Sequence, residues 1–381
     1  MKLLKLTPAD SFFFKGHMMS EMGVPSQWIG LFPPRPNTVY GALRSAYIHR
    51  FSNFKIFREG GDEAIRAWMG TPYSFGRFKQ EAIFLRQGKQ LLLPVPMDYR
   101  IFRNAASGNG NPVAESLTLA ENVSISNTNA RYTFIRHGNA RREGKDIAHS
   151  GQFVPLDHWK NTVFNQKPIQ DIRALEQIVT SYMKTGIKID RATNGAEDAH
   201  FFQMNMLNMR AECELVSCVS DPGPDFSDVA MVSLGSENRP WFLEQEDQSW
   251  SFWSNEQMLQ LEEKLHATGI ARIILLTPLV LPDELSTHDV FFDGNLQLTS
   301  DINAELLTWA SGRPELFGGW DIVSHRPKKR QLMLPMGTVF YVKILRKDIP
   351  NLLQLANGFH LLKEKVPDRF HEGFGFAVIT G

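Results

Sequence analysis

Phe317-Gly318-Gly319-Trp320-Asp321-Ile322-Val323 leads through Arg326-Pro327-Lys328-Lys329-Arg330 into Leu334-Pro335-Met336-Gly337-Thr338-Val339-Phe340-Tyr341-Val342-Lys343. Two glycines and an aspartate make a turn. Residues Met336 to Leu345 alternate and are expected as a strand. A basic loop, four of whose five residues 326–330 are cationic, lies between the two. It is the strongest electrostatic candidate in the second half of the chain.

Outward from this block the pattern is strand, helix and hairpin. Leu3 to Phe14 is expected as a first strand, and 23–36 as a loop rich in Gly and Pro. Asn37 or Thr38 can cap a helix whose stripe is Val39, Ala42, Leu43, Ala46 and Tyr47. Ala82 to Pro96 reads as a hairpin about Gly88. Residues 100–150 show little periodicity and many Gly, Asn, Ser and Arg, so a long, partly mobile insertion is expected. Ile187 to Arg191 and Ala199 to Cys218 read as a long hairpin. Asn255 to His266 is expected as a helix, Ala271 to Leu276 as a buried strand, and Ile302 to Ala310 as a helix. Ile349 to Gly358 is expected as a short helix and Phe374 to Thr380 as a last strand.

The order strand–helix–strand with hairpins, twice over, points to an α+β chain of two ferredoxin-like domains with long insertions, including a projecting hairpin or thumb. The expected division is 1–255, with the insertion at about 100–150, and 256–381. A length of 381 residues and a hydrophobic share of 43% suit such a pair. No run approaches the length of a membrane helix, and the N-terminus is no signal peptide. The only cysteines, Cys213 and Cys218, lie five apart in a strand-like stretch, on opposite faces, so they do not bridge locally. A cytoplasmic location is expected, with no membrane partner.

Net charge is zero, but unevenly spread. Residues 211–263 hold twelve acids and one base, Arg239, together with Trp241, Trp250 and Trp253. A protein-facing surface and a solvated acidic face over buried tryptophans fit that stretch equally well. Basic clusters at 131–145, with Arg131 and Arg136, and at 326–330 could face phosphate, although plain surface charge accounts for either alone.

Several residues are candidates for contact with phosphate. Lys15, His17, Arg35, Thr38 and Arg44 surround the first loop and helix, where Gly and Pro let backbone N–H groups approach an anion and Arg offers a forked contact. Lys188 and Arg191 lie on the long hairpin, where an ion pair with Asp190 is the alternative. Arg326, Lys328 and Lys329 belong to the basic loop. His17 could serve as a general acid or base, but no partner acid is tied to it by sequence. No P-loop and no Gly-Gly-Asp-Asp motif occurs, and no catalytic residue, metal or cofactor is expected.

Three blocks carry a family resemblance: Phe32-Pro33-Pro34-Arg35-Pro36-Asn37-Thr38 with Gly41-Ala42-Leu43-Arg44, Gly319 to Tyr341, and Gly373-Phe374-Gly375. Gly186 to Arg191 with Glu197, Phe201 and Phe202, and Leu275 to Pro278, add to them. Together they resemble a RAMP protein of a CRISPR effector complex, most closely the third subunit of type III-B (Cmr) complexes. Leu234-Gly235-Ser236-Glu237-Asn238-Arg239 departs from the family's Gly-Gly-Glu-Gly-Arg, which puts close ligand approach at that loop in doubt. The resemblance implies a non-catalytic scaffold that holds the 5′ handle of the guide (crRNA) and kinks it with a projecting hairpin. The large polymerase-palm-like subunit and the backbone RAMP subunits would be its partners. Only within this resemblance do Gly373 and Gly375 become candidates for backbone contact with RNA. The alternatives are a guide-processing RAMP endoribonuclease and the equivalent subunit of another type III or Cascade-like assembly.

Overall fold

The computed structural model describes residues 1–16, 26–28, 30–103, 111–121, 132–135, 146–189, 196–247, 251–282, 294–321 and 326–381. The fold is mixed α and β, with mainly antiparallel sheets and few helices. Two compact units interleave along the chain. The first comprises 1–88, 176–248 and 318–329; the second comprises 89–175, 249–317 and 330–381. This differs from the expected single cut at 255, because 89–175 belongs with the C-terminal segments.

In the first unit, Gln80–Gln87, Cys213–Val219, Lys2–Pro8, Pro240–Asp247 and Met231–Ser233 lie side by side, each antiparallel to its neighbours. Leu4, Leu6, Leu215 and Trp241 are fully buried, and helix Pro36–Phe51 contributes Val39, Tyr40, Leu43 and Ile48 to the core. Polar bonds fasten the helix entry to the sheet. Ser217 Oγ donates to Gln80 Oε1 at 2.9 Å, and Gln80 Nε2 donates to Pro36 O at 2.9 Å. Tyr40 stacks on Phe78 at 5.0 Å. The helix starts one or two residues before the expected cap, with Arg35 as N-cap and Pro36 in its first turn. Proline lacks the N–H that would be orphaned there.

Lys2–Pro8 is shorter than the expected strand Leu3–Phe14. Pro8 cannot donate to a ladder, and the chain then passes to a second sheet through bridges Phe12 to Leu207 and Lys15 to Gly30. That sheet joins Val179–Ile189, Ala196–Met209 and Ser26–Trp28. The long hairpin is thus present, but its second arm does not run on to Cys218. It stops at Met209, turns through Glu212 at φ 63°, and resumes as Cys213–Val219 in the first sheet.

The second unit is built on a six-stranded antiparallel sheet ordered Asn295–Gln297, Asn303–Ala310, Val339–Lys343, Ile270–Leu275, Phe376–Thr380 and Phe359–His360. Helix Asn255–Thr268 opens with a capping box between Ser254 and Gln257, closes at Gly269 with φ 67°, and buries Leu261 and Leu265. Residues 303–310 are a strand and not part of the expected helix Ile302 to Ala310. Their Ala, Glu and Leu content favours helix, but Ala304 and Leu306 turn inward with period two against Val339–Lys343. The start of the expected mobile insertion is packed core. Tyr99–Phe102 pairs with Val113–Ser116, and Tyr99, Ile101, Phe102 and Ala114 are buried. Thr118–Glu121 pairs with Tyr132–Ile135. Ile147 N donates to Ile101 O at 2.9 Å, and a His149 ring nitrogen lies 2.7 Å from Tyr99 O. Residues 104–110, 122–131 and 136–145 of the expected projecting insertion lie outside the described residues.

At the centre of this unit Arg272, 1% exposed, forks onto Asp98, Nε to Oδ2 at 2.5 Å and Nη2 to Oδ1 at 2.6 Å. Nη1 donates to Val163 O at 3.0 Å, and Tyr341 donates to Asp98 Oδ2 at 2.8 Å. Burial works against the Arg272 charge, yet Asp98 carries its pKa above the ordinary value. Burial likewise holds the Tyr99 and Tyr341 hydroxyls protonated well above their usual range.

Both cysteines are buried and free, and burial pushes the Cys218 thiol up to about 12. Among the described residues no helix is long and apolar enough to cross a membrane.

Candidate nucleic-acid interface

The outer face of the first sheet is neutralised from within. Lys5 Nζ meets Glu244 at 2.8 Å and Glu246 at 2.9 Å; Arg86 meets Glu246 at 2.9 Å and also bonds Glu214; Lys2 reaches Asp247 at 4.0 Å. Glu244 and then Glu246 raise the Lys5 pKa. These bases hold carboxylates of their own unit, so they are poorly placed for phosphate. The acidic stretch is therefore partly a ladder on its own sheet. Trp241 and Trp253 are core, with Nε1 donating to Leu234 O at 3.1 Å and Ile379 O at 3.0 Å. Trp250 lies outside the described residues.

A second region gathers the N-terminal candidates. Phe12, Phe14, Phe32 and Trp241 form one aromatic cluster, with Phe12 4.9 Å from Trp241 and 5.4 Å from Phe32. Phe32 thereby anchors the Pro33-Pro34-Arg35-Pro36 entry against the segment that carries Lys15. Loop 235–239 closes over it: Ser236 N donates to Phe13 O at 2.8 Å, and a Cβ on Gly235 would stand 2.9 Å from that same oxygen. Asn238 takes φ 51°, and asparagine tolerates this left-handed region better than most side chains. Glu237 ties the loop to Arg239 at 2.6 Å and lies 4.0 Å from Lys184 of the long hairpin.

The structure distributes the candidates unevenly. Lys15 is exposed, Arg35 is half-buried at the helix entry, and Thr38 is exposed in the first turn. Arg44 points to protein: Nε donates to Met69 O at 2.7 Å, Nη2 to Thr71 O at 2.5 Å, and its guanidinium lies 5.6 Å from the Phe57 ring centre. Burial lowers its pKa. Its fork is thus turned to the protein's own carbonyls. Arg44→Met should therefore destabilise the chain by about 2–3 kcal/mol, the order of one hydrogen bond to a charged group, with the salt dependence of RNA binding unchanged. Urea unfolding and salt titration of RNA binding check this together.

Arg326 pairs through its backbone with Asp321, and Arg326, Lys328 and Lys329 are all exposed. Arg326 and Lys328 make no ion pair among the described residues. Lys188 lies in strand Val179–Ile189. Its side chain, and residues His17, Arg131, Arg136 and Arg191, lie outside what is described.

Gly373 and Gly375 belong to the second unit and are buried. Gly375 N donates to Pro278 O at 2.8 Å, its carbonyl accepts from Leu361 N at 2.9 Å, and Gly373 N donates to Phe370 O at 3.1 Å. Gly375 has φ 70°, and a Cβ there would stand 2.9 Å from Leu279 Cδ1 and 3.1 Å from Leu361 O. Internal packing thus explains this glycine without RNA. Gly375→Ala should lower stability by about 1–3 kcal/mol, the cost of a strained left-handed residue. Wild-type stability with weakened RNA binding would instead assign it to ligand approach. Phe134 lies edge-on to Tyr341 at 5.6 Å.

Sequence reasoning passed over Lys184 and the cations and rings of 49–58. The latter show in sequence as bases alternating with Phe and Ile.

The family model described as "CRISPR-associated protein (Cas_Cmr3)" matches residues 4–380. The chain belongs to this family. It is thus a RAMP-type subunit of type III CRISPR effector complexes. Two chains are similar in fold. One, from "Cryo-EM structure of the Type III-B Cmr-beta bound to cognate target RNA", has TM-score 0.51 and 14% identity, covering 98% of this chain and 95% of that one. Another, from the same assembly with cognate target RNA and AMPPnP, has TM-score 0.51 and 16% identity over 98% and 93%. A chain of a type III-A Csm3-Csm4 subcomplex is more distant, at TM-score 0.37 and 11% identity over 90% and 93%. No curated protein matches by sequence.

Proposed function

We propose that this chain is the non-catalytic RNA-binding scaffold of a cytoplasmic type III-B complex. It holds the 5′ handle of the guide and docks on the large polymerase-palm-like subunit and the backbone RAMP subunits. In this reading each unit is a ferredoxin-like domain. The handle lies along the first unit, near Lys15, Arg35 and Thr38, the long hairpin with Lys188 and Arg191, and the basic loop. Arg131 and Arg136 act at the kink between handle and spacer.

One observation carries the reading. Lys2, Lys5 and Arg86 are consumed by carboxylates of their own sheet, whereas Arg326 and Lys328 are exposed with no ion pair among the described residues. Positive charge left over after internal pairing is what a phosphate backbone can use.

Incubating the purified protein with labelled repeat RNA tests both parts. Binding without a cleaved product, with or without divalent metal, is expected. A specific product that disappears in His17→Ala would establish the endoribonuclease alternative instead.

A further inference from the structure

Helix Pro36–Phe51 carries candidate handle contacts at its start, and its far end is a different kind of surface. His49, Arg50 and Phe51 are exposed there, followed by Phe54, Lys55, Ile56 and Arg58 on the short helix Phe54–Arg58. Phe51 is 41% exposed, Phe54 46% and Ile56 44%. Arg50, Lys55 and Arg58 make no ion pair among the described residues.

The platform beneath is well fixed. Asn53 caps the short helix by accepting from Ile56 N at 2.9 Å, and Ser52 N closes the long one on Ile48 O at 2.8 Å. Tyr47 holds Phe51 at 4.6 Å and itself rests on Phe226 at 5.2 Å. His49 holds Phe54 at 4.9 Å, and Phe57 is buried under it.

We propose that this cationic, ring-bearing surface at the C-terminal end of helix Pro36–Phe51 binds single-stranded RNA, at a place separate from the handle site. A helix C-terminus accounts for a cation at Arg50, but not for two half-exposed phenyl rings beside unpaired bases. A protein-docking patch has a contiguous apolar centre depleted of charge. Here cations and apolar side chains alternate, which offers each base a ring and each phosphate a cation. The surface ends at the exposed acids Glu59, Asp62 and Glu63, which would turn a phosphate backbone away. Sixteen helical residues separate it from the Arg35 end by about 24 Å. The inference extends the RNA-binding reading but is tested on a different RNA.

The probes are fluorescent oligouridine, which lacks any handle sequence, and the repeat-derived handle RNA, each titrated against the full chain. Phe51→Ala with Phe54→Ala should weaken oligouridine binding at least tenfold, as stacking losses do. Arg50→Gln with Lys55→Gln and Arg58→Gln should flatten its salt slope by about 2, at roughly 0.7 per single-strand phosphate contact. Both variants should keep the wild-type urea midpoint and handle affinity. Failure of the wild type to bind oligouridine, or wild-type binding by both variants, would overturn the proposal. So would loss of a protein subunit from the assembled complex with oligouridine affinity intact. Failure of handle binding alone would count against the handle reading and leave this surface standing.

Discussion

Asp98→Ala is expected to destabilise the second unit by about 3–5 kcal/mol, because it strands the buried Arg272 charge. Arg272 sits on the central strand of that unit, 1% exposed, and Asp98 supplies both oxygens of its fork. With the carboxylate gone, Tyr341 also loses its acceptor. The guanidinium cannot shed its proton to escape, so the penalty falls on stability. Asp98→Leu with Arg272→Met removes both charges together and should recover much of the loss. Urea unfolding followed by tryptophan fluorescence distinguishes the cases. A loss below about 1 kcal/mol in Asp98→Ala would mean that water reaches the pair.

Reversing the basic loop should have the largest effect on binding. Arg326→Glu, Lys328→Glu and Lys329→Glu together should flatten the salt slope for handle RNA by about 2 and weaken affinity roughly 50-fold at physiological ionic strength. All three side chains are exposed, so the fold should be unaffected. Fluorescence anisotropy across a salt series reads slope and affinity together. An unchanged slope would remove this loop from the interface and return it to ordinary surface charge.

What could be read from sequence was local. The stripe Val39, Leu43 and its neighbours marked helix Pro36–Phe51, and the apolar run Ala271 to Leu276 marked the central strand Ile270–Leu275. What could not be read depends on distant partners. Asp98 and Arg272 lie 174 residues apart, and nothing in either neighbourhood announces the other. Strand Asn303–Ala310 has a helix former's composition and is held extended by its pairing with Val339–Lys343. Arg44 was legible as a cation beside an important loop, but not as one turned inward to Met69 O and Thr71 O. Gly375 stood out only through the family resemblance, as a candidate for RNA contact, while its structural reason, a Cβ that would meet Leu279 Cδ1 and Leu361 O, came only from the fold. The acids at 214, 244 and 246 fitted a protein-facing surface and a solvated acidic face equally well in sequence; that they answer Lys5 and Arg86 came only from the fold. Family motifs reached further than periodicity, because they encode such distant constraints together.

The most direct test of the central claim is photo-crosslinking in the assembled complex, with thiouridine placed in the 5′ handle of the guide and the linked peptides identified by mass spectrometry. The account predicts handle crosslinks to first-unit peptides of this chain, those bearing Lys15, Arg35 or Arg326 to Lys329. Handle crosslinks confined to other subunits, with this chain touching only spacer or target RNA, would contradict it.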